Sequence, residues 1–169
     1  MVAGLSLFAE RGYGGSRLAD IAAEADVTTG AFYGHFSGKL LFFGVLFERY
    51  ANELQMALDN SATLEEQFEA YIVVSRRHRG AIRASAELLQ RDPEHRAIRR
   101  GLRESCAGAL AWRLRGPLTL QRARVASRLL VDVLDQHAFM EAAELIEARQ
   151  PVDIAHALWI LIEHGLYIQ

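Results

Sequence analysis

The chain has 169 residues, enough for one or two small domains with a buried core. Hydrophobic residues make up 51% and charged residues 24%, which is typical of a globular protein and excludes a disordered or collagen-like chain. The single cysteine, Cys106, excludes an intramolecular disulfide and a cysteine-cluster zinc site, and it is expected to be a small core residue. No apolar run reaches the roughly 18 residues of a membrane span, and residues 1–10 carry no basic leader. We therefore expect no membrane partner, no signal peptide and a cytoplasmic location.

The net charge is −2, but the basic residues are almost all of one type and are unevenly distributed along the chain. Eighteen of the nineteen are arginine, and the other is Lys39. Nine arginines lie between Arg76 and Arg103, where the only acidic residues are Glu87, Asp92 and Glu94. A solvated helix face is the first interpretation of this cluster, and phosphate contacts or an anionic ligand are the alternatives.

Helical spacing of apolar residues runs through nearly the whole chain, and no stretch shows the alternation of a strand. The first part predicts helices over residues 3–11 and 17–25, the second with Ser16 as its N-cap, followed by a third capped by Thr28. Ser37 is predicted to cap a long fourth helix that extends to about residue 58. Five further helices are predicted over residues 64–79, 81–91, 93–115, 120–148 and 152–167. The expected fold is all-α, with a three-helix domain at residues 1–47 joined by the long helix to a bundle at residues 48–169.

Residues 18–36 have the pattern of a helix-turn-helix unit, two short helices joined by a tight turn. Ala22 is small enough for the helices to cross closely, and Ile21 and Phe32 form the apolar pair between them. Asp26 stands where the turn needs a left-handed backbone, which aspartate tolerates. Val27 is expected to fill the core behind the turn.

The sequence at this unit is more specific than a general helix-turn-helix. Residues 28–39, TTGAFYGHFSGK, resemble the signature of the tetracycline-repressor (TetR) family of bacterial regulators. Residues 7–13, LFAERGY, and the pair Ile21-Ala22 fall where that family places its phenylalanine, glycine-tyrosine and isoleucine-alanine pairs. The resemblance covers residues 3–45. The family has a longer, often basic lead into its first helix, so we expect a segment to precede residue 1.

The resemblance implies that the third helix enters the major groove of DNA, with Thr28, Thr29 and Gly30 at the base edges. It also implies phosphate contacts for Tyr33, His35 and Lys39, and for the helix N-terminus at Ser16. The implied DNA-binding residues are Ser16, Arg17, Thr28, Thr29, Gly30, Tyr33, His35 and Lys39. Residues 1–47 hold three basic and four acidic residues, a poor inventory for nucleic-acid binding.

The resemblance also implies an effector pocket in the bundle. Aromatic and apolar residues there suit a small hydrophobic or amphipathic effector held by a few polar groups. The residues expected to line this pocket are Phe47, Tyr50, Tyr71, Ser75, Trp112, His137 and Met140. We expect a neutral compound in preference to one whose anionic head group reaches the arginine cluster. For each of these residues, the alternative is that it fills a dry core and contacts no effector.

The last predicted helix is apolar nearly all round, which requires burial on more than one side. In the TetR family the two C-terminal helices pair with their copies, so the resemblance implies a C₂ homodimer on a palindromic operator. The expected interface residues are Val125, Leu129, Val133, Leu158, Trp159, Leu161 and Ile162.

No enzyme motif stands out. The chain has no glycine-rich phosphate loop, no His-Glu-x-x-His and no Gly-x-Ser-x-Gly, so we expect no catalytic residue, cofactor or metal. Asp132, Asp135 and His137 lie close in the chain, but His137 is turned away on a helix. The expected function is ligand-responsive, sequence-specific DNA binding, as a transcriptional repressor. A small-molecule-binding protein or enzyme without DNA binding, and a helix-turn-helix that binds only proteins, are the alternatives.

Overall fold

The computed structural model describes residues 1–115 and 118–165, with side chains described up to residue 163. Those residues form nine α-helices and no strand, which confirms the all-α prediction. The helices are α1 (Val2–Gly15), α2 (Leu18–Glu24), α3 (Thr29–His35), α4 (Lys39–Asn60), α5 (Leu64–Arg77), α6 (Arg79–Arg91), α7 (Pro93–Leu114), α8 (Leu120–Ala142) and α9 (Pro151–Gly165). No helix in the described ranges is both long and apolar enough to cross a membrane.

Gly12 interrupts the first helix, as predicted, and a short helical segment continues from this bend to Gly15. Gly12 has φ 67° and ψ −175°, a conformation that glycine adopts at little cost. Ser16 is not the N-cap of α2, since Arg17 takes that position. The buried Ser16 hydroxyl instead donates to the carbonyl oxygen of Gly12, at 2.8 Å, and lies 3.2 Å from that of Leu7. The Ser16 side chain therefore helps to fix the backbone at the bend and does not cap α2.

The turn between α2 and α3 follows the sequence prediction. Asp26 has a left-handed backbone with φ 54°. Thr28 caps α3, because its hydroxyl accepts from the amide of Ala31 at 3.2 Å. Ile21 and Phe32 are both buried, so the predicted apolar pair lies between the helices.

The prediction that Val27 fills the core behind this turn is wrong, since Val27 is 44% exposed. Three aromatic rings occupy the core of the N-terminal region instead. The ring centres of Phe32 and Phe36 lie 5.1 and 4.9 Å from that of Phe42 on α4. These rings fill the space between α3 and α4, while the Val27 side chain at the turn before α3 stays exposed.

The long helix α4 runs through the middle of the molecule. It begins at Lys39 with Gly38 in the cap position, so the prediction that Ser37 caps it is wrong. Its buried residues belong to one continuous core that extends from Leu7 in α1 to Ala155 in α9. The proposed boundary at residue 47 falls inside this helix and this core.

The prediction that Gly80 breaks a helix is wrong, because Gly80 instead permits a close contact between two helices. The break lies at His78, between α5 and α6. A Cβ atom on Gly80 would lie 2.0 Å from the carbonyl oxygen of Leu5 in α1. Helices α1 and α6 therefore approach each other as only a glycine allows.

The remaining helices follow the prediction except at their ends. Pro93 occupies the first turn of α7, where the Asp92 carboxylate accepts from the amides of Glu94 and His95 at 2.9 and 3.2 Å. Helix α8 ends at Ala142, six residues earlier than predicted, and Glu144 follows with φ 58°. The predicted stop at residues 116–117 and the last predicted residues of α9, 166–167, lie outside the described residues.

Two large apolar side chains lie on the surface, and one of them is Trp112, for which the sequence predicts the effector pocket or a dry core. Trp112 is 66% exposed and Met56 65% exposed. Their neighbours Leu110 and Leu54 are fully buried, so each helix turns its other face to the core. The centre of the Trp112 ring lies 5.0 Å from the Cζ atom of Arg115, so the two side chains form a cation–π contact on the surface. Cys106 is buried, as expected.

Candidate nucleic-acid interface and ligand cleft

The surface of α2 and α3 presents most of the predicted DNA-binding residues to solvent. Tyr33 is 52% exposed. No heavy atom lies within 4 Å of a Cβ atom built on Gly30, so the fold itself does not require a glycine there. The exposed residues of the predicted set are Arg17, Thr28, Thr29, Gly30, Tyr33 and His35. Apart from the Thr28 cap, these side chains leave their polar groups available to a partner.

Ser16 and Lys39 of the same set make contacts within the protein. The Lys39 ammonium donates to the carbonyl oxygens of Tyr13, at 2.7 Å, and Ser16, at 2.8 Å, and lies 4.3 Å from the centre of the Tyr13 ring. Partial burial lowers the pKa of Lys39. Because an ammonium has three donors, one remains for a phosphate. Lys39 thus ties the turn after α1 to the start of α4.

A carboxylate on α6 holds the bend of α1. Glu87 accepts from the amides of Tyr13, at 2.9 Å, and Gly14, at 2.8 Å. The bend at Gly12 leaves these amides without the usual acceptor four residues back. A Cβ atom on Gly12 would lie 1.9 Å from the Glu87 Oε1 atom. The sequence analysis missed this contact, because its partners are 74 residues apart.

A second α6 side chain adds to this junction. The Arg83 Nη1 atom donates to the carbonyl oxygen of Ala9 at 2.6 Å. With Gly80 against Leu5, α6 therefore contacts α1 at three successive turns.

The residues predicted to line an effector pocket do not surround one cavity. Tyr50 and Ser75 are buried with their oxygens 3.4 Å apart, and the buried Tyr71 donates to Asp135. Burial raises the pKa of both tyrosines. His137 lies 3.0 Å from Glu141, one turn along α8. Of the others, Met140 is half-buried, Phe47 lines a groove described below and Trp112 is exposed.

A cleft of about 610 Å³ opens instead between α6, α7 and α8. One wall is a row of arginines on α7, spaced as neighbours on a single helix face. Facing them are two aspartates of α8 and an apolar floor. The residues that carry this character are Arg96, Arg99, Arg100, Arg103, Asp132, Asp135, Ile82, Ala86, Leu89 and Phe139.

Ion pairs organise part of this cleft. Asp135 lies 2.7 Å from Arg99 Nη2 and 3.2 Å from Arg103 Nε, and Arg103 also pairs with Asp132. Burial disfavours the Arg99 charge, but Asp135 together with Tyr50 and Tyr71 outweighs burial and raises the pKa of Arg99. The Arg99 side chain is only 12% exposed, so the interpretation of the cluster as a solvated face is wrong at this residue. Its Nη1 atom is buried with no hydrogen-bond partner in the part of the chain that the structure describes.

An apolar groove of about 690 Å³ lies between α4 and α7. Leu41, Phe47 and Ile98 line it, together with acidic residues at its edge that include Glu48 and Glu94. Its charge is therefore opposite to that of the arginine-lined cleft.

The α8–α9 surface carries the predicted interface residues in two groups. Val125, Leu129 and Val133 form a stripe on α8 and are 56%, 61% and 50% exposed. Leu161 on α9 is 69% exposed and shares a groove with Val133. The other predicted residues are half-buried and pack against the chain's own core, namely Leu158, Trp159 and Ile162.

Comparisons with known proteins agree with this architecture. Residues 1–43 match the sequence profile described as bacterial regulatory proteins, tetR family. The HTH-type transcriptional repressor DhaR of Mycobacterium sp. (strain GP1) is 43% identical over 63 residues. That match covers 37% of this chain and 31% of the repressor, so it spans about a third of the relative's length.

Solved structures share the fold over nearly the whole chain. The TetR family transcriptional regulator PfmR from Thermus thermophilus superimposes with a TM-score of 0.78 at 20% identity, over 95% of this chain and 94% of that one. A transcriptional regulator of the TerR/AcrR family from Aquifex aeolicus VF5 gives 0.77 at 21% identity, over 95% of each chain. Residues 1–43 are therefore similar to the tetR family of bacterial regulatory proteins, and the described ranges share the all-α fold of these solved structures.

Proposed function

We propose that this chain is a transcriptional repressor that binds a palindromic DNA site through α3 and responds to a small ligand. The observation that carries the proposal is the exposed N-terminal turn of α3. Thr29 and Gly30 face solvent there, as Tyr33 does one turn further, and the space around Gly30 is empty, as a close approach of DNA would require. The amide groups of this turn add donors and a partial positive charge.

The roles of the side chains follow from their chemistry. The Thr29 hydroxyl is suited to a base edge, and the Tyr33 phenol and His35 imidazole to phosphate oxygens. Arg17, at the N-terminus of α2, supplies a charge-assisted contact. Thr29→Ala should therefore change the preferred sequence, whereas Tyr33→Phe should weaken binding to all sequences.

Few basic side chains of residues 1–47 are free for phosphate contacts. Of its three basic residues, Lys39 is engaged by two carbonyl oxygens and Arg11 lies 3.7 Å from Asp20. With Arg17 and the remaining Lys39 donor, a dimer of this chain would make about four such contacts. We expect the logarithm of the binding constant to fall with that of salt concentration with a shallow slope, about −2 to −4.

The exposed apolar stripe supports a homodimer. A row formed by Val125, Leu129 and Val133, continued by Leu161, is costly to leave in water, and the same row of a second copy related by a two-fold axis would cover it. Leu129→Glu should yield monomer in sedimentation at micromolar concentration. Met56→Glu is the matched control, because Met56 is equally exposed and lies on α4.

Ligand control of DNA binding has a physical route through α6. This helix forms one wall of the arginine-lined cleft, and its Arg83 and Glu87 side chains hold α1. A ligand that shifts α6, or α4 beside it, moves the DNA-binding region. Affinity changes only as far as the ligand prefers one of the two positions.

The test is selection of bound duplexes from a random library, followed by titration at two salt concentrations. We expect an enriched palindrome whose half-sites are about 34–36 Å apart or a multiple of that. Loss of enrichment would contradict the proposal. It would favour a small-molecule-binding protein, enzyme or protein adaptor without DNA binding, the alternatives that the small number of free cations supports. As a DNA-binding regulator the protein would be cytoplasmic and would need no catalytic residue.

A further inference from the structure

We propose that the cleft between α6, α7 and α8 binds an organic anion, a molecule with an apolar body and a carboxylate or phosphate head group. This deepens the proposed function by naming the chemical class of the ligand. It rests on that function only for the consequence of binding, which is a change in DNA affinity.

The charge balance of the cleft favours an anion. Its four arginines face two aspartates, so two positive charges are in excess. Asp132 and Asp135 are taken up by Arg99 and Arg103. Arg100 makes no ion pair with any residue that the structure describes. The guanidinium groups stay charged at every physiological pH, so the excess is permanent.

The Arg99 side chain provides the second, independent observation. Its Nη2 atom binds Asp135, but its Nη1 atom is buried without an acceptor among the described residues. A buried donor with no partner is unfavourable, because it has lost its water. Arg99 lines the cleft, so a turn of its side chain would bring Nη1 to an oxygen atom of a bound carboxylate or phosphate, and the planar fork of a guanidinium matches the geometry of both groups.

The remaining walls suit an apolar body. Ile82, Ala86 and Leu89 of α6 and Phe139 of α8 line the cleft beside the arginines. Its volume of about 610 Å³ is that of a small-molecule site. The apolar groove between α4 and α7 is the competing site, but its acidic residues, Glu48 and Glu94, would repel an anion.

The experiment is calorimetric titration of the DNA-free protein at fixed ionic strength with matched probes. Octanoate is compared with octan-1-ol, 1-naphthoate with 1-naphthalenemethanol, and octyl phosphate with inorganic phosphate. We expect at least one acid to bind about tenfold or more tightly than its alcohol, since only the acid makes charge-assisted hydrogen bonds. The carboxylate and phosphate series show which head group is preferred. Inorganic phosphate should bind more weakly than octyl phosphate, because it lacks the apolar body.

Variants locate the site. Arg99→Gln and Arg100→Gln should each weaken binding of the acid about tenfold or more and leave that of the alcohol unchanged. Arg49→Gln is the control, because Arg49 is an exposed arginine on α4 that does not line the cleft. If Arg99→Gln fails to fold, Arg100→Gln decides, since Arg100 is exposed and outside the ion pairs.

Three results would overturn the proposal: equal binding of acids and alcohols, acid binding unchanged by Arg100→Gln, or no binding of any probe at millimolar concentration. If inorganic phosphate bound as tightly as octyl phosphate, the inference that the ligand has an apolar body would be wrong. None of these measurements uses DNA, so a failure of DNA binding is distinguishable from a failure of this site.

Discussion

The α2–α3 region and the α6–α8 cleft place their polar groups in opposite ways. On α2 and α3, groups such as Thr29 and Tyr33 stand in solvent and contribute little to the fold. In the cleft, Arg99 and Asp135 are mostly buried and paired, so the same atoms hold the helices together and define the site. Substitutions in the first region should separate function from stability, whereas substitutions in the second should change both.

The junction between these regions is expected to give the largest effect on stability. Gly80→Ala places a methyl group against the carbonyl oxygen of Leu5, at 2.0 Å before any relaxation. We expect a loss of about 1–3 kcal/mol in the free energy of unfolding, measured by urea denaturation. Gly108→Ala is the control, since a Cβ atom there meets nothing within 4 Å and the helix should gain up to about 1 kcal/mol. Equal effects of the two changes would mean that α1 and α6 are not in close contact.

Removing the carboxylate at the junction should have the next largest effect. Glu87→Ala leaves the amides of Tyr13 and Gly14 without their acceptor, so we expect a loss of about 1–2 kcal/mol in urea denaturation. Glu87→Gln keeps one acceptor oxygen and should lose less. An unchanged unfolding midpoint in Glu87→Ala would show that the carboxylate does not fix the bend.

A substitution on α3 should raise stability and lower DNA affinity. Gly30→Ala meets no neighbouring atom and replaces a poor helix former, so the free energy of unfolding should rise by up to about 1 kcal/mol. The added methyl group would occupy the space that the proposed DNA contact requires. Fluorescence anisotropy with the selected operator should therefore show weaker binding. A more stable variant with unchanged affinity would place the DNA elsewhere.

The smallest expected effect is a pH dependence from His95. This residue is buried between the rings of Phe43 and Phe47, with centres 5.1 and 4.8 Å away, and its Nε2 atom lies 2.7 Å from the Ser85 hydroxyl. Burial, with a contribution from the Arg99 charge, lowers the pKa of His95 below its ordinary 6.5.

The unfolded chain therefore binds a proton at His95 at a higher pH than the folded chain does. The stability from its neutral form is complete above pH 6.5 and falls as the pH is lowered through the window from 6.5 to the lowered folded pKa. The Tm of the wild type should drop more between pH 7 and pH 5.5 than that of His95→Gln. Identical pH profiles would contradict this assignment.

Features fixed by neighbouring residues could be predicted from the sequence. The left-handed turn at Asp26, the Thr28 cap and the start of α7 at Pro93 each depend on residues within a few positions. The cleft could not be predicted in this way. The spacing of its arginines placed them on one face, but Asp135 and the α6 wall are brought to that face only by packing between helices distant in sequence.

The same reason explains the errors. Trp112 has a large apolar side chain, as core residues do. The helices packed against α7 decide which of its faces is buried, and Trp112 lies on the exposed face. The phosphate contact of Lys39 stays a prediction, but only the fold reveals that two carbonyl oxygens engage its ammonium and leave one donor for a phosphate. Residue type identified candidates, and tertiary contacts decided which of them are free.

The central claim is that the exposed turn of α3 binds a specific DNA sequence. The most direct test is fluorescence anisotropy of the selected duplex and a scrambled duplex, with wild type and Thr29→Ala/Tyr33→Phe at one stated salt concentration. We predict that the wild type binds the selected duplex about 10³-fold or more tightly than the scrambled one, and that the double variant binds both duplexes more weakly and lowers this ratio about tenfold or more while its Tm is unchanged. Equal affinity of the wild type for the two duplexes, or a double variant with full discrimination, would contradict the account.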